Sequence, residues 1–221
     1  MPREDFDQQL NVLQQEVESL GGFVGKSIHR AVDALKRRDL ASSQEVVNDD
    51  DYIDRKRFEI EDLCVDLIAT QQPMARDLRA IIALMHNVVE LERMGDYAEG
   101  IAKISLAMGE APPLKPLIDI PRMADKASTM LSDSIDSLLN RDIVKANHVC
   151  QADDEVDALY DQVYRELLLF MIKDPATIQR ATYLLWVAHD LERIADRATN
   201  IAERVIFLIT GKMVEVNVSK Y

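Results

Sequence analysis

Apolar and polar residues alternate along this chain with a helical period almost from the start. In the first segment Leu10, Leu13, Val17, Leu20, Val24, Ile28, Val32 and Leu35 recur at three- and four-residue steps, which places them on one stripe of a helix over about 6–38. Gly21-Gly22 falls inside this stripe and is a candidate bend. A second helix is predicted over 40–70, stopped by Gln71-Gln72-Pro73, and a third over 76–108. Then comes Gly109-Glu110-Ala111-Pro112-Pro113-Leu114-Lys115-Pro116, the densest group of helix breakers in the chain. Beyond it the order recurs: helices over 121–140, 143–172 and 176–210, with a break at Lys173-Asp174-Pro175 and a C-cap at Gly211.

The repetition extends to individual residues. Arg38-Asp39-Leu40 returns as Arg141-Asp142-Ile143 at an offset of 103, and at that offset Asp33, Asp50 and Asp54 fall on Asp136, Asp153 and Asp157. The third helices align at an offset of 100, where Leu91-Glu92-Arg93-Met94-Gly95-Asp96 falls on Leu191-Glu192-Arg193-Ile194-Ala195-Asp196 and Ala98, Ile101 and Ala102 on Ala198, Ile201 and Ala202. A duplicated unit accounts for all of these matches. The expectation is an all-α fold of two similar three-helix bundle repeats with pseudo-two-fold symmetry. One repeat spans 1–109 and the other 117–212, with a short tail at 213–221 in which Val214, Val216 and Val218 alternate weakly.

Composition agrees with long helices, since Gly, Pro and aromatic residues are scarce. Charge narrows the partners. With 26 basic against 39 acidic residues the net charge is −13, which opposes nucleic-acid phosphates and anionic lipid and favours cations or basic protein surfaces. Cys64 and Cys150 stand alone in apolar helical stretches and read as reduced core thiols. The acidic N-terminus lacks a secretory h-region, and no apolar run approaches the roughly 20 residues of a membrane span, so a cytoplasmic protein is expected. Met74, Met85, Met94, Met108, Met123, Met130 and Met171 read as core filler, and Trp186 as an outward aromatic.

The candidate chemistry lies in carboxylates. Four acidic pairs spaced i, i+4 occupy matched places in the two halves: Asp50 with Asp54, Glu92 with Asp96, Asp153 with Asp157, and Glu192 with Asp196. On a helical wheel Glu92 and Asp96 lie beside the apolar stripe, and Asp50 and Asp54 lie in line with Val47, Val65 and Ile68, with Glu61 on the same edge. Like charges one turn apart destabilise a helix, and desolvating them costs more. A hard cation with oxygen ligands would compensate, and iron, manganese, magnesium, calcium and zinc all accept carboxylates. At this acid content chance alone gives about seven such pairs, so the weight rests on their duplication. A structural network neutralised by Arg93, Arg193 and other basic side chains is the competing reading. His29, His86, His148 and His189 form no metal-binding pattern, and the phosphate-loop, dinucleotide and nucleophile-elbow signatures do not occur.

The two segments 91–96 and 191–196 resemble the paired signature of the PhoU family, and Gln71-Gln72-Pro73 with Asp77-Leu78-Arg79 resembles that family's stretch between its second and third helices. Ala195 departs from the more usual glycine of the second signature. The resemblance implies two three-helix halves, a homodimer, and acidic pairs that hold multinuclear metal clusters in some members, here Asp50, Asp54, Glu92 and Asp96, and Asp153, Asp157, Glu192 and Asp196. It further implies a non-enzymatic negative regulator of phosphate uptake and of the phosphate-starvation response. Its partners would be a PstB-like ATPase subunit of the phosphate ABC transporter and a PhoR-like sensor histidine kinase, reached at the inner membrane. The alternatives are a metal-carboxylate enzyme and a structural helical scaffold.

Overall fold

A computed structural model describes residues 3–211, so the expectation for the 213–221 tail lies outside the described residues. The described residues form six long helices: α1 (Arg3–Arg37), α2 (Leu40–Gln71), α3 (Arg76–Met108), α4 (Asp119–Asn140), α5 (Ile143–Lys173) and α6 (Ile178–Thr210). A 3-10 turn, Pro175–Thr177, precedes α6, and no strand occurs among the described residues.

The repeated Arg-Asp-Leu/Ile motif has a local explanation. Arg38 and Arg141 take left-handed backbones with φ 58 and φ 53, ending α1 and α4. The next residue caps the next helix. Asp39 accepts from the Ser42 amide at 3.0 Å, and Asp142 accepts from the amides of Val144 at 2.9 Å and Lys145 at 3.0 Å. The two connections also share their backbone bonds, Asp39 N to Ala34 O and Asp142 N to Ser137 O, each 2.9 Å. One tight corner is thus used twice.

Two boundaries depart from the periodicity. α4 begins at Asp119, with Pro121 inside the first turn, where a missing N–H costs no helical bond. The last helix starts at 178 and not 176, because Asp174 accepts from Ala176 N at 3.0 Å and winds 175–177 into the tighter turn. Gly21-Gly22 makes no break, as α1 is helical throughout. A Cβ at Gly21 would come within 1.9 Å of Ile135 Cδ1, so this glycine lets α4 approach α1.

In each half the second and third helices run antiparallel. Ser43 hydrogen-bonds Ser105 at 2.9 Å, and further along the same pair Arg57 meets Glu92 at 3.0 Å. Between the halves α1 packs on α4 and α3 on α6, so two helices of each unit meet their own repeat equivalents, while α2 and α5 lie on opposite outer sides without touching. One continuous core joins them, with Leu13, Val17, Val24 and Ile28 of α1 and the matched Leu91 and Leu191 fully buried. The expected methionine filling holds for Met94, Met123 and Met130, but Met74 is 80% exposed in the α2–α3 connection. Val65 is also exposed, because only α1 and α3 cover α2 and its distal edge is left bare. Trp186 is half exposed and sits edge-on against Tyr183, with centroids 5.9 Å apart.

Candidate metal centres

The acidic pairs meet where antiparallel helices face each other. In the first half, Asp50 and Asp54 are one turn apart on α2 and confront Asp96 of α3, each offering a carboxylate oxygen within 4.8 Å of the others. Asp50 and Asp54 are part-buried, and Asp96 opens to solvent on its outer side. The Oδ1 atom of Asp50 is buried without a hydrogen-bond partner. Burial, with Glu99, Asp96 and Asp54 nearby, pushes the Asp50 carboxyl up to about 7 against the opposing charge of Lys103. Burial also raises Asp96 to about 6, helped by Glu92, Asp54 and Glu99.

Close helix approach makes this possible. At Gly95 a Cβ would lie 2.8 Å from Ile53 Cδ1 and 3.5 Å from Asp50 Oδ1, so the missing side chain lets α3 settle against α2 beside the carboxylates. Glu92, one turn from Asp96, is held differently. Arg57 reaches it at 3.0 Å and Glu61 at 3.3 Å, which neutralises this end and leaves the three aspartates as the closest group. Glu99, which sequence reasoning passed over, contributes charge to both raised aspartates and is itself paired with Lys103 at 2.6 Å. Its position one turn beyond Asp96 was legible, but its repeat partner is Thr199, so a search for duplicated acids drops it.

In the second half Asp153 and Glu192 are buried and Asp157 and Asp196 part-buried. Burial raises Asp196 to about 6, with Glu192 and Asp157 pushing in the same direction and Arg193 and Arg197 against it. Asp157 and Glu192 therefore lie around Asp196. Arg193 grips Glu192 with two parallel bonds, Nε to Oε2 at 2.7 Å and Nη2 to Oε1 at 2.9 Å, and its Nη1 lies 3.0 Å from Asp196 Oδ2. Glu203 stands where the first half has Lys103, and with Asp153 it borders Cys150, whose thiol burial pushes up to about 12. Glu203 is the second acid missed, for the same reason as Glu99.

The seam between α3 and α6 carries a related asymmetry. Glu90 accepts from Arg197 at 3.4 Å and Asn200 at 3.2 Å. Its repeat equivalent, Asp190, lies against Gly100, and burial pushes its carboxyl up to about 7.

Comparison with known proteins matches this doubled geometry. A family model described as the PhoU domain fits twice, over residues 17–105 and 120–205. The chain belongs to the PhoU family. It is 38% identical over 218 residues to the "Phosphate-specific transport system accessory protein PhoU homolog" of Clostridium acetobutylicum, covering 98% of this chain and 100% of that one. The protein of the same description from Aquifex aeolicus is 39% identical over 207 residues, with 94% of each chain covered. Among solved structures, PhoU from Pseudomonas aeruginosa superposes with a TM-score of 0.89 at 34% identity, covering 94% of this chain and 100% of that one. The phosphate transport system regulatory protein PhoU from Streptococcus pneumoniae gives 0.88 at 32% identity, covering 95% and 99%. The two matched ranges contain the repeated segments that supply Glu92 with Asp96 and Glu192 with Asp196.

Proposed function

We propose that this PhoU-family protein is an accessory regulator of phosphate uptake that restrains the phosphate-starvation response as a non-enzymatic adaptor and carries hard cations on its two acidic clusters. The observation that carries this reading is the PhoU domain matched twice, with relatives aligned over nearly the whole chain, and an acidic pair in each half facing a second pair. Relatives matched from end to end are described as accessory to, or regulatory of, a phosphate transport system. Such a protein would work at the cytoplasmic face, between the transporter's ATPase subunit and a sensor histidine kinase. No described helix is long and apolar enough to cross a membrane, so contact with the transporter would be peripheral. A net charge of −13 would speed encounter with basic patches on those partners more than it would tighten the complexes.

Residues of the first cluster fit a cation. Asp50, Asp54 and Asp96 present an all-oxygen donor set, and the orphaned Asp50 Oδ1 lacks the partner that a buried carboxylate oxygen needs. Asp153, Asp157, Glu192 and Asp196 would form the second set. A bound iron, manganese, magnesium, calcium or zinc ion would supply positive charge that locks α2 to α3 and α5 to α6.

Deleting the gene tests the regulatory reading. Phosphate-starvation genes should switch on in phosphate-rich medium, and the tagged protein should co-purify with the ATPase or the kinase. Normal repression together with an empty co-purification would reject it. Turnover in a screen of phosphoester and redox substrates would favour a metal-carboxylate enzyme.

A further inference from the structure

We propose that Arg193 is a tethered counter-cation that occupies the second acidic cluster, so that the two clusters load unequally and the second fills only when Arg193 is displaced. This inference rests on the reading of both clusters as cation sites.

The halves differ in which acids their arginine holds. In the first half Arg57 comes from α2 and binds Glu92 and Glu61, leaving Asp96 to Asp50 and Asp54. Tyr160 takes the place of Arg57 in the second half, so no arginine stands at that position of α5. Arg193 of α6 does the work instead. It holds Glu192 bidentately and also Asp196, which are both acids of the second signature. Its repeat equivalent Arg93 is exposed and makes no such pair among the described residues, although its charge opposes the rise of the Asp96 carboxyl.

The consequence follows from burial. The Glu192 side chain is 8% exposed and that of Arg193 23%, so the pair is drawn mostly out of water. A divalent ion entering there must break two parallel charge-assisted bonds and a third contact, and return the guanidinium to solvent. At the first cluster no equivalent bond to Asp96 has to be broken. The arginine thereby sets the cation concentration at which the second half responds, and it gives one protein two thresholds.

Titration of the full-length protein with Mn2+, following free Mn2+ by electron paramagnetic resonance, tests this. The wild type should show two classes of site at least about tenfold apart in affinity. Asp96→Asn should remove the tighter class. Arg193→Met leaves Glu192 with only the His189 imidazole, 3.7 Å from its Oε2, as a basic neighbour, and should tighten the weaker class about tenfold or more. Arg193→Lys keeps the charge but loses the fork, guards against a folding defect, and should fall between. An unchanged weaker class in Arg193→Met, or two equal classes in the wild type, would overturn the proposal while leaving the cation reading intact. No Mn2+ bound by any variant would overturn both.

Discussion

The two α-helical hairpins that carry the acids, α2–α3 and α5–α6, share a scaffold and differ in their counter-charges. Asp50, Asp54 and Asp96 are answered by Asp153, Asp157 and Asp196, and Leu91 by Leu191, both fully buried. Around them the charged neighbours have changed: Arg57 has become Tyr160, Glu99 has become Thr199 and Lys103 has become Glu203. Gly95 has become Ala195. The core of a repeat is thus preserved by packing, which one methylene can upset, whereas the neutralisation of its acids can be reassigned to a side chain from another helix.

The largest expected effect concerns the shared part. Leu91→Ala and Leu191→Ala should each cost about 2–5 kcal/mol in urea unfolding, and by similar amounts, because both side chains are wholly enclosed. A large effect in one half alone would break the equivalence of the two cores.

Next is the position at which the packing differs. Gly95→Ala would bring a methyl within 2.8 Å of Ile53 Cδ1, and should destabilise by about 1–3 kcal/mol while weakening cation binding at the first cluster. Ala195→Gly should cost about 1 kcal/mol from helix propensity, without loss of cation. Equal effects of the two exchanges on Mn2+ affinity would show that Gly95 has no special part in the approach of α3 to α2.

Proton linkage offers a third comparison. Burial raises the carboxyls of Asp50 and Asp190 to about 7, and those of Asp96 and Asp196 to about 6, all from the ordinary value of 3.8. Between those limits the folded protein holds more protons than the unfolded chain, so stability without metal should fall as pH rises from about 4 to about 7. Asp50→Asn should flatten that fall, and added Mn2+ should oppose it near neutral pH. Stability of the metal-free wild type that rises over this range would contradict the assignment.

The smallest effects should come from the corners. Asp39→Ala and Asp142→Ala should each cost about 1 kcal/mol in thermal unfolding, and by similar amounts, because Asp39 accepts from the amide and hydroxyl of Ser42 and Asp142 from two amides.

Much of this was legible from periodicity and repetition. The helices, the break at 109–118 and the duplicated acids all follow from local chemistry that depends on residue type and spacing. Less legible was anything decided between helices. Whether Gly21 bends α1 or admits Ile135 depends on where α4 lies, and whether Val65 is covered depends on α2 touching only α1 and α3. The clamp of Arg57 was hidden for the same reason, since the wheel shows which edge an acid occupies but not which arginine of another helix reaches it, whereas Arg193, next to Glu192 in sequence, was legible as a neutralising side chain. Glu99 and Glu203 were missed because the repeat itself served as the filter and both lack an acidic counterpart.

On the proposed reading each half presents a cation site, the first built from Asp50, Asp54 and Asp96. Equilibrium dialysis of the wild type and the Asp50→Asn/Asp54→Asn/Asp96→Asn triple variant against Mn2+, with bound metal measured per folded chain, tests it most directly. The variant should stay helical, lose the tighter class of bound metal and keep the weaker one. Equal metal content in the two folded proteins would contradict it.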